Sequence, residues 1–450
     1  MPWITLLALV LAVPSAAHAS TVALTVRNVP GYKGSGYDEA VVTVVAAPAE
    51  ANDVGVRLEQ RVAIVTDSAG AQPGPGCALS AFGETRCPVP LGATVVHAEV
   101  DAGDAGDTVS VGPGVGATVR LGPGNDRACV ADRFLDGYSA LHGGPGDDVL
   151  GGGDGFDVLD GGPGADQMSG GAGHDTLSYR DRTAPVSATI GGPGGEAGEG
   201  DAIGADIEEI QGGAGPDLLR GGPRDDVLWG GGGDDDIDGG AGNDNVNGED
   251  GANRVAGGAG DDYVSADGPS VLLGGPGDDA VFGGAGADII DAGPGRDKAG
   301  SYGGADRLLL RDGEADEGYC PARSGSAVAD GRDLVVRCAS IDRKGPGHVM
   351  LHVDRMGSTR RFYRVHLLCS SDLRPTCAGV VRLLTRGRPA GRARFAVPAG
   401  HVRTVSIELR RGARRRLVSA RRLALVVRVD THDAAGRPVV LRAPGTARAR

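Results

Sequence analysis

The chain has 450 residues, of which 80 are glycine and only 4% are aromatic, and its formal net charge is −14. So few large side chains exclude a thick globular core, although they suffice for a solenoid, in which each turn buries only a few small side chains. With this acidic balance we expect no nucleic-acid partner.

Residues 1–19 form an apolar run that ends in the small-residue site Ala17-His18-Ala19. This pattern is typical of a secretory signal peptide, with cleavage predicted before Ser20. A membrane anchor is the alternative interpretation of the same run. No later segment approaches the roughly 18 apolar residues that a membrane-spanning helix needs, so no transmembrane segment is expected after cleavage. We therefore expect a secreted, extracellular protein.

Residues 20–142 are predicted to form an N-terminal β region that leads into loose solenoid coils. The segments TVALTV, AVVTVVAA, VGVRL and VAIVT are rich in Val and Thr and are separated by polar breaks, which is typical of short strands. Cys77 and Cys87 stand at the ends of a short loop, and in an exported protein this predicts a disulfide rather than a metal site. Cys129, the odd member of seven cysteines, is predicted to be a small buried residue, with a reactive thiol as the alternative.

Residues 143–309 repeat a nine-residue unit with Gly at the first, second and fourth places and Asp at the sixth. Fourteen units stand in three blocks, which begin at Gly143, Gly212 and Gly274; the first unit reads GGPGDDVLG. The glycines allow positive φ and close backbone approach, so that six residues can turn tightly. The last three residues are predicted to form a short strand. Two units make one coil, and stacked coils bury the apolar side chain in the middle of each strand. These side chains are Leu150, Leu159, Met168, Leu177, Leu219, Leu228, Ile237, Val246, Val264, Val281 and Ile290.

The residues at the sixth place are predicted to stack, because positions eighteen apart lie one above the other on consecutive coils. Stacked carboxylates repel one another unless a cation lies between them. Calcium takes about six to eight oxygen ligands from carboxylates and carbonyls, and a glycine turn presents its carbonyls freely. Pairs within uninterrupted blocks would give eight sites. The candidate metal ligands are Asp148, Asp157, Asp166, Asp175, Asp217, Asp226, Asp235, Asp244, Asn253, Asp262, Asp279, Asp288, Asp297 and Asp306.

Over about a third of the chain, these units resemble the repeats-in-toxin (RTX, hemolysin-type) calcium-binding family, whose unit is GGxGxDxUx. The resemblance implies an all-β, parallel β-roll in which carboxylates and turn carbonyls hold several Ca²⁺ ions between the coils of a secreted bacterial protein. It also implies that the segment EAVVTVVAAPAEANDVGVRL caps the solenoid. The looser coils that contain Asp107 and Asp126 are expected to hold few or no complete sites.

Two inserts interrupt the repeats, at residues 179–211 and 266–273. The first is expected to extend a coil without ending the stack. Its acidic residues form either an irregular extra site or a solvated loop, and these are Glu199, Asp201, Asp206 and Glu208.

Residues 310–342 are predicted to close the solenoid with a hairpin or cap, with a disulfide between Cys320 and Cys338. Residues 343–450 carry 25 basic and five acidic side chains, a net charge of +20, which indicates a separate domain. Strands that alternate at period two predict a small β-sandwich there, with a third disulfide between Cys369 and Cys377. The segment RRGARRRLVSARR predicts either a solvated hairpin or a surface that binds anions.

No GxSxG, HExxH or P-loop sequence occurs, and we expect no enzyme. His348 and His352 could hold a metal, but a pair on a strand surface is the favoured interpretation. The sequence therefore predicts a calcium-binding extracellular scaffold. The alternatives are an adhesin or matrix protein whose basic domain binds anionic polymers of the cell envelope or matrix, and a secreted enzyme with an unrecognised catalytic part.

Overall fold

The computed structural model describes residues 20–29, 37–46, 51–81, 83–91, 93, 95–131, 138–310, 312, 314–320, 325–329, 333–336, 338–342, 349–352, 362–369, 376–385, 388–398, 402–420, 422–432 and 438–448. The predicted signal peptide and His348 lie outside these residues. The chain divides into two compact units, residues 1–179 with 187–210 and residues 180–186 with 211–450. Within the described ranges, no helix is long and apolar enough to cross a membrane.

The first unit is built from short strands. They are β1 (Ser20–Val29), β2 (Tyr37–Val45), β3 (Asp53–Glu59), β4 (Val62–Asp67), β5 (Ala71–Pro73), β6 (Ala78–Leu79), β7 (Thr85–Pro88), β8 (Val95–Asp101), β9 (Thr108–Val111), β10 (Gly116–Arg120), β11 (Arg127–Val130), β12 (Tyr138–His142), β13 (Val149–Asp160), β14 (Gln167–Gly173), β15 (Thr176–Ser178), β16 (Ser187–Thr189), β17 (Pro193–Gly194) and β18 (Asp201–Ile203). Strand β19 (Glu209–Gln211) follows.

Two parallel stacks form the solenoid of the first unit, as predicted. One stack runs through β2, β8, β10, β12, β13 and β15, and the other runs through β3, β9, β11, β13, β14 and β18. Gln167 pairs with Ala202, so the stack continues through the first insert, as expected. The antiparallel hairpins β1–β2 and β3–β4 add to the first coil strands, β8 and β9, and so cover their edges.

The second unit has the same coil architecture. Its coil strands are β20 (Leu218–Arg220), β21 (Val227–Trp229), β22 (Asp236–Ala241), β23 (Asn245–Asn247), β24 (Arg254–Ala259), β25 (Tyr263–Ala266), β26 (Val271–Leu273), β27 (Ala280–Gly283), β28 (Ile289–Asp291), β29 (Lys298–Ser301), β30 (Arg307–Leu309), β31 (Glu317–Tyr319), β32 (Ser326–Val328), β33 (Leu334–Val336) and β34 (Ser340–Asp342). Even-numbered strands pair in parallel in one stack and odd-numbered strands in the other.

Within the repeats of both units, the core consists of the rows of apolar side chains that the repeat predicts. All eleven of the predicted residues are at most 3% exposed. The second insert is an eight-residue unit of the stack rather than an interruption: Arg254 pairs with Val271, seventeen residues on, and Leu272 is completely buried. Each short coil therefore holds a thin core, and the register of its strands depends on the spacing of the turns.

The glycines at different places of the unit have different roles, which the sequence alone did not distinguish. Positive φ occurs at the second and fourth places, for example 102° at Gly144 and 144° at Gly146, but the first-place Gly143 is not among the positive-φ residues. The first-place glycine is instead needed for close approach, because an added Cβ would collide with neighbouring oxygen atoms.

Three further expectations have clear outcomes. Disulfides join Cys77 to Cys87 and Cys320 to Cys338 as predicted. Of the hairpin or cap predicted after residue 309, the hairpin is wrong, because β31 to β34 pair in parallel and continue the coils, and the cap stays a prediction. The prediction that Cys129 is buried is also wrong: it is a free, exposed residue that follows the buried Ala128, so it points to the other side of its strand.

The basic C-terminal region forms two antiparallel sheets. One contains β35 (Val349–His352), β36 (Phe362–Cys369) and β39 (Val402–Glu408); the other contains β37 (Thr376–Thr385), β38 (Arg388–Pro398), β40 (Arg422–His432) and β41 (Pro438–Arg448). Both sheets contribute to one buried apolar cluster, as in a sandwich. Helix α1 (Arg411–Ala420) occupies the segment for which a hairpin was one interpretation. The side chains of Cys369 and Cys377 lie outside the described part, so their pairing stays a prediction.

Candidate metal centre

A ladder of side-chain oxygens runs along each stack of turns. In most coils the backbone N–H of the sixth-place residue donates to Oδ1 of the equivalent residue in the next coil, at 2.9 Å from Asp148 to Asp166 and 2.8 Å from Asp244 to Asp262. The turn before each strand places the side chain inside the coil, so all fourteen predicted residues are at most 2% exposed. The predicted stacking of positions eighteen apart is therefore present in the fold.

In the first unit the two ladders continue into the first insert. Asp166 N–H donates to Asp201 Oδ1 at 3.1 Å, and Asp175 N–H donates to Glu208 Oε2 at 3.0 Å. Asp206 lies elsewhere, where its Oδ2 accepts from Ser169 Oγ at 2.6 Å, and Glu199 accepts from the N–H of Glu196. The four acidic residues thus do not gather in one irregular site, and two of them extend the ladders.

In the second unit the ladders cross the second insert. Ser270 takes the place of an aspartate: its Oγ accepts from Asn253 N–H at 3.1 Å, and its N–H donates to Asp288 Oδ1 at 2.8 Å. The other ladder passes directly from Asp262 to Asp279 at 2.9 Å. The count of eight sites included only pairs within uninterrupted blocks, whereas the ladder bonds also join residues on either side of the second insert. The ladders run in the orders Asp217, Asp235, Asn253, Ser270, Asp288, Asp306 and Asp226, Asp244, Asp262, Asp279, Asp297, Asp316.

The second carboxylate oxygen has no such partner in many coils. Within the described part of the chain, Oδ2 is buried and accepts no hydrogen bond in Asp148, Asp166, Asp175, Asp235, Asp244, Asp262, Asp279 and Asp297. Buried polar atoms are almost always hydrogen-bonded, and a buried charged oxygen without a partner is costly. These oxygens therefore need a proton or a cation.

The space beside these oxygens is kept open by the first-place glycine. A Cβ on Gly143 would collide with Asp148 Oδ2 and with the carbonyl oxygen of Gly161 in the next coil. Carboxylate and carbonyl oxygens thus converge on one point, and hard oxygen donors of both kinds are the ligands that calcium prefers. The residues fit a calcium ion.

Asn253 shows which groups surround the second side-chain atom. Its Oδ1 keeps the ladder by accepting from Asp235 N–H at 2.9 Å, while its Nδ2 donates to the carbonyl of Gly248 at 2.7 Å and to that of Glu249 at 3.3 Å. An N–H donor at the position of Asn253 Nδ2 therefore finds hydrogen-bond acceptors in the carbonyls of the turn. A carboxylate oxygen in the same place faces acceptors, which repel it until a cation intervenes.

Other coils satisfy the second oxygen from within. Ser301 replaces the first-place glycine and its hydroxyl donates to Asp306 Oδ2 at 2.5 Å. The N–H of Gly213 donates to Asp217 Oδ2 at 2.7 Å, and the N–H of Gly222 donates to Asp226 Oδ2 at 2.6 Å. The fourteen positions are thus chemically unequal, which a pattern that counts only aspartates does not show.

Burial raises the pKa of the ladder carboxyls, because a charge in the coil interior loses its water. The pKa of Asp148 rises to about 6 and those of Asp166 and Asp279 to about 7, with neighbouring aspartates adding to the shift. Without a cation, these carboxyl groups are therefore partly protonated near neutral pH.

Two aspartates outside the fourteen candidate ligands share this geometry. Asp107 and Asp126 are buried in the same ladder as Asp148, and the signal was an aspartate two places before a small buried residue. Leu121 stands at the first place of the Asp126 coil, so a side chain begins where the repeats keep glycine. The expectation that these coils hold few or no complete calcium sites stays a prediction, and the side chain at Leu121 gives a physical reason for it.

Residues 142–177, 211–246, 238–268 and 266–299 match the model of the RTX calcium-binding nonapeptide repeat, in four copies. A comparison with curated proteins gave no match. The matched segments contain the glycine turns and the ladder aspartates described above.

The raised pKa values predict that the metal-free coils lose stability as pH rises. A carboxyl whose folded pKa is near 7, against about 4 when unfolded, favours folding below pH 4, and this contribution disappears as pH rises through 7. In chelator, far-ultraviolet circular dichroism should therefore show more β-structure at pH 5 than at pH 8. With saturating calcium this order should weaken or reverse, since protons then compete with the ion. More β-structure at pH 8 than at pH 5 in chelator would contradict this.

The inequality of the ladder positions predicts how matched amide variants differ. Asp262→Asn should keep the ladder hydrogen bond and lower calcium uptake, because its amide would donate to turn carbonyls as that of Asn253 does. The reverse change, Asn253→Asp, should raise calcium uptake. The control is Asp261→Asn, since Asp261 is exposed and its Oδ1 accepts from Asp278 N–H at 2.7 Å. Isothermal titration calorimetry should show at least about a tenfold affinity loss at one site for Asp262→Asn only. Equal losses in Asp261→Asn and Asp262→Asn would show that the register is wrong.

Proposed function

Because the chain carries RTX calcium-binding nonapeptide repeats, and such repeats bind Ca²⁺, we propose that calcium ions between stacked coils fold and stabilise this protein as a non-catalytic extracellular scaffold. The ligands in this proposal are the fourteen ladder residues predicted from the sequence, with strength that varies between coils. The observation that carries it is the buried second oxygen of residues such as Asp148 and Asp244, which faces turn carbonyls and accepts no hydrogen bond.

The balance of forces in one coil supports this role. A coil buries only one apolar side chain at the centre of each strand, such as the completely buried Leu228 or Val246, so apolar burial offsets little of the conformational entropy that folding costs. The ionic and carbonyl contacts of calcium would add to it, so that binding and folding become one process.

An extracellular location fits the covalent bonds of the chain. The disulfides Cys77–Cys87 and Cys320–Cys338 suit an oxidising compartment. Extracellular calcium-binding modules have dissociation constants of about 0.1–1 mM, so millimolar calcium fills them. A secreted chain would then fold where calcium is abundant and stay unfolded where calcium is scarce.

Calcium removal is expected to unfold the coils. In chelator at pH 7.5, residues 143–309 should lose most of their β-structure, and about millimolar calcium should restore it. Circular dichroism of the full chain during a calcium titration is the measurement, and magnesium at the same concentration is the control, because its smaller octahedral shell suits this site less well. The same spectrum with chelator and with calcium would rule out the proposed folding role.

A second candidate function is adhesion to anionic polymers through the C-terminal region. Ala413 packs into the buried cluster and orients helix α1, while Arg410, Arg411, Arg415 and Arg416 are exposed. This concentrated positive charge would attract envelope or matrix polyanions at long range.

Binding to a polyanion should depend on these arginines and on salt. The full chain should bind heparin at low salt, and binding should fall steeply up to 1 M salt, where the screening length shortens to about 3 Å. Replacing Arg411, Arg415 and Arg416 by Gln should weaken binding several-fold. The matched control replaces three exposed carboxylates of the turns, at Asp225, Asp261 and Asp278, by Asn. Heparin affinity that is unchanged by the arginine variant would remove this candidate.

A further inference from the structure

The coil that follows residues 301–309 departs from the nine-residue pattern. Asp316 accepts from the N–H of Asp297, nineteen residues earlier instead of eighteen, so this unit contains one extra residue. Asp312 stands four places before Asp316, where the repeats have their second glycine. In the coil below, Ala292 replaces the first-place glycine of the unit that contains Asp297. The surroundings of Asp297 therefore differ from those of Asp148 or Asp244.

These changes bring three carboxylates together. One carboxylate oxygen each from Asp297, Asp312 and Asp316 lie within 4.8 Å of one another. Among the residues that the structure describes, this is the one group of three His, Cys, Asp or Glu side chains at such distances. Asp297 and Asp316 are each 1% exposed and Asp312 is half-buried.

The buried members of the group carry oxygens that need a ligand. Oδ2 of Asp297 and Oδ2 of Asp316 are buried and accept no hydrogen bond from any described residue. Their Oδ1 atoms are occupied by the ladder, from Asp279 N–H and Asp297 N–H respectively, both at 2.9 Å. The ladder thus fixes both side chains and leaves one oxygen of each available.

Asp312 is held in place independently of any ligand. Its Oδ2 accepts from Gly295 N–H at 2.9 Å, and its Oδ1 accepts from Glu314 N–H at 2.8 Å. An anchored carboxylate loses little freedom when it binds a cation. Burial, with the charge of Asp312 adding to it, raises the pKa of Asp316 to about 8, as expected where negative charge is crowded.

We propose that Asp297, Asp312 and Asp316 form a three-carboxylate site for one divalent cation of the calcium class, and that this site binds calcium more tightly than the repeat sites. The inference rests on the proposed calcium-stabilised solenoid, but two of its three ligands, Asp312 and Asp316, lie outside the matched repeats. Calcium sites gain affinity with the number of charged ligands and with rigidity, and this site has three carboxylates on a prearranged turn.

The test counts calcium ions on the full chain by native mass spectrometry and measures their affinities by calorimetry. Asp312→Asn removes the charge and retains one acceptor, and Asp312→Gly restores the glycine of the repeat. The matched control is Asp278→Asn, because Asp278 is an exposed carboxylate of the neighbouring coil whose Oδ1 accepts from Arg296 N–H at 2.9 Å.

The wild-type chain should retain one calcium at concentrations that leave most repeat sites empty. Both Asp312 variants should weaken that ion by about tenfold or more, while Asp278→Asn changes it by less than about twofold. Asp312 variants that titrate like the wild type would overturn the site while leaving the calcium-stabilised solenoid intact. A wild-type chain that takes up no calcium at all would overturn both.

Discussion

Carboxylates stacked at the spacing of neighbouring strands are the constraint on which the rest of this structure depends. Coils of a parallel solenoid lie about 4.8 Å apart, so the ladder residues Asp226, Asp244 and Asp262 meet at that interval inside the protein. Their backbone hydrogen bonds hold the register, but like charges in a dry interior oppose it. The first-place glycines bring carbonyl oxygens to the same point, where a cation would join them to the carboxylates.

The two carboxylate oxygens of a ladder aspartate have different roles, and other residues can perform each role separately. Oδ1 carries the hydrogen bond between coils, and an amide at Asn253 or a hydroxyl at Ser270 does this equally well. Oδ2 carries the charge, and the Ser301 hydroxyl satisfies it at Asp306 without an ion. A solenoid can therefore keep its geometry through coils of different calcium strength. The three-carboxylate group at Asp312 is the opposite variation, in which charge is added.

The nine-residue period was enough to predict the parallel coils, the buried row and the fourteen stacked residues, because side-chain direction follows from position in the unit. Leu150 and Asp148 lie where their places predict. The period could not predict Asp201 or Ser270, since which residue of an insert enters the stack depends on how the longer or shorter turn closes. Helix α1 was also missed, because the many arginines of RRGARRRLVSA were interpreted as a solvated hairpin, whereas Ala413 packs into the buried apolar cluster.

Hydrogen exchange of the full chain, with and without calcium, tests the central claim most directly. The ladder N–H groups of residues such as Asp244 and Asp262 should exchange at least about a hundredfold faster in chelator than in calcium, since an opening of these coils then costs little free energy. Peptides from the C-terminal sheet, such as residues 376–398, should exchange at the same rate in both. Equal protection of the ladder N–H groups with and without calcium would contradict the account, because the coils would then be held together by their own hydrogen bonds and core.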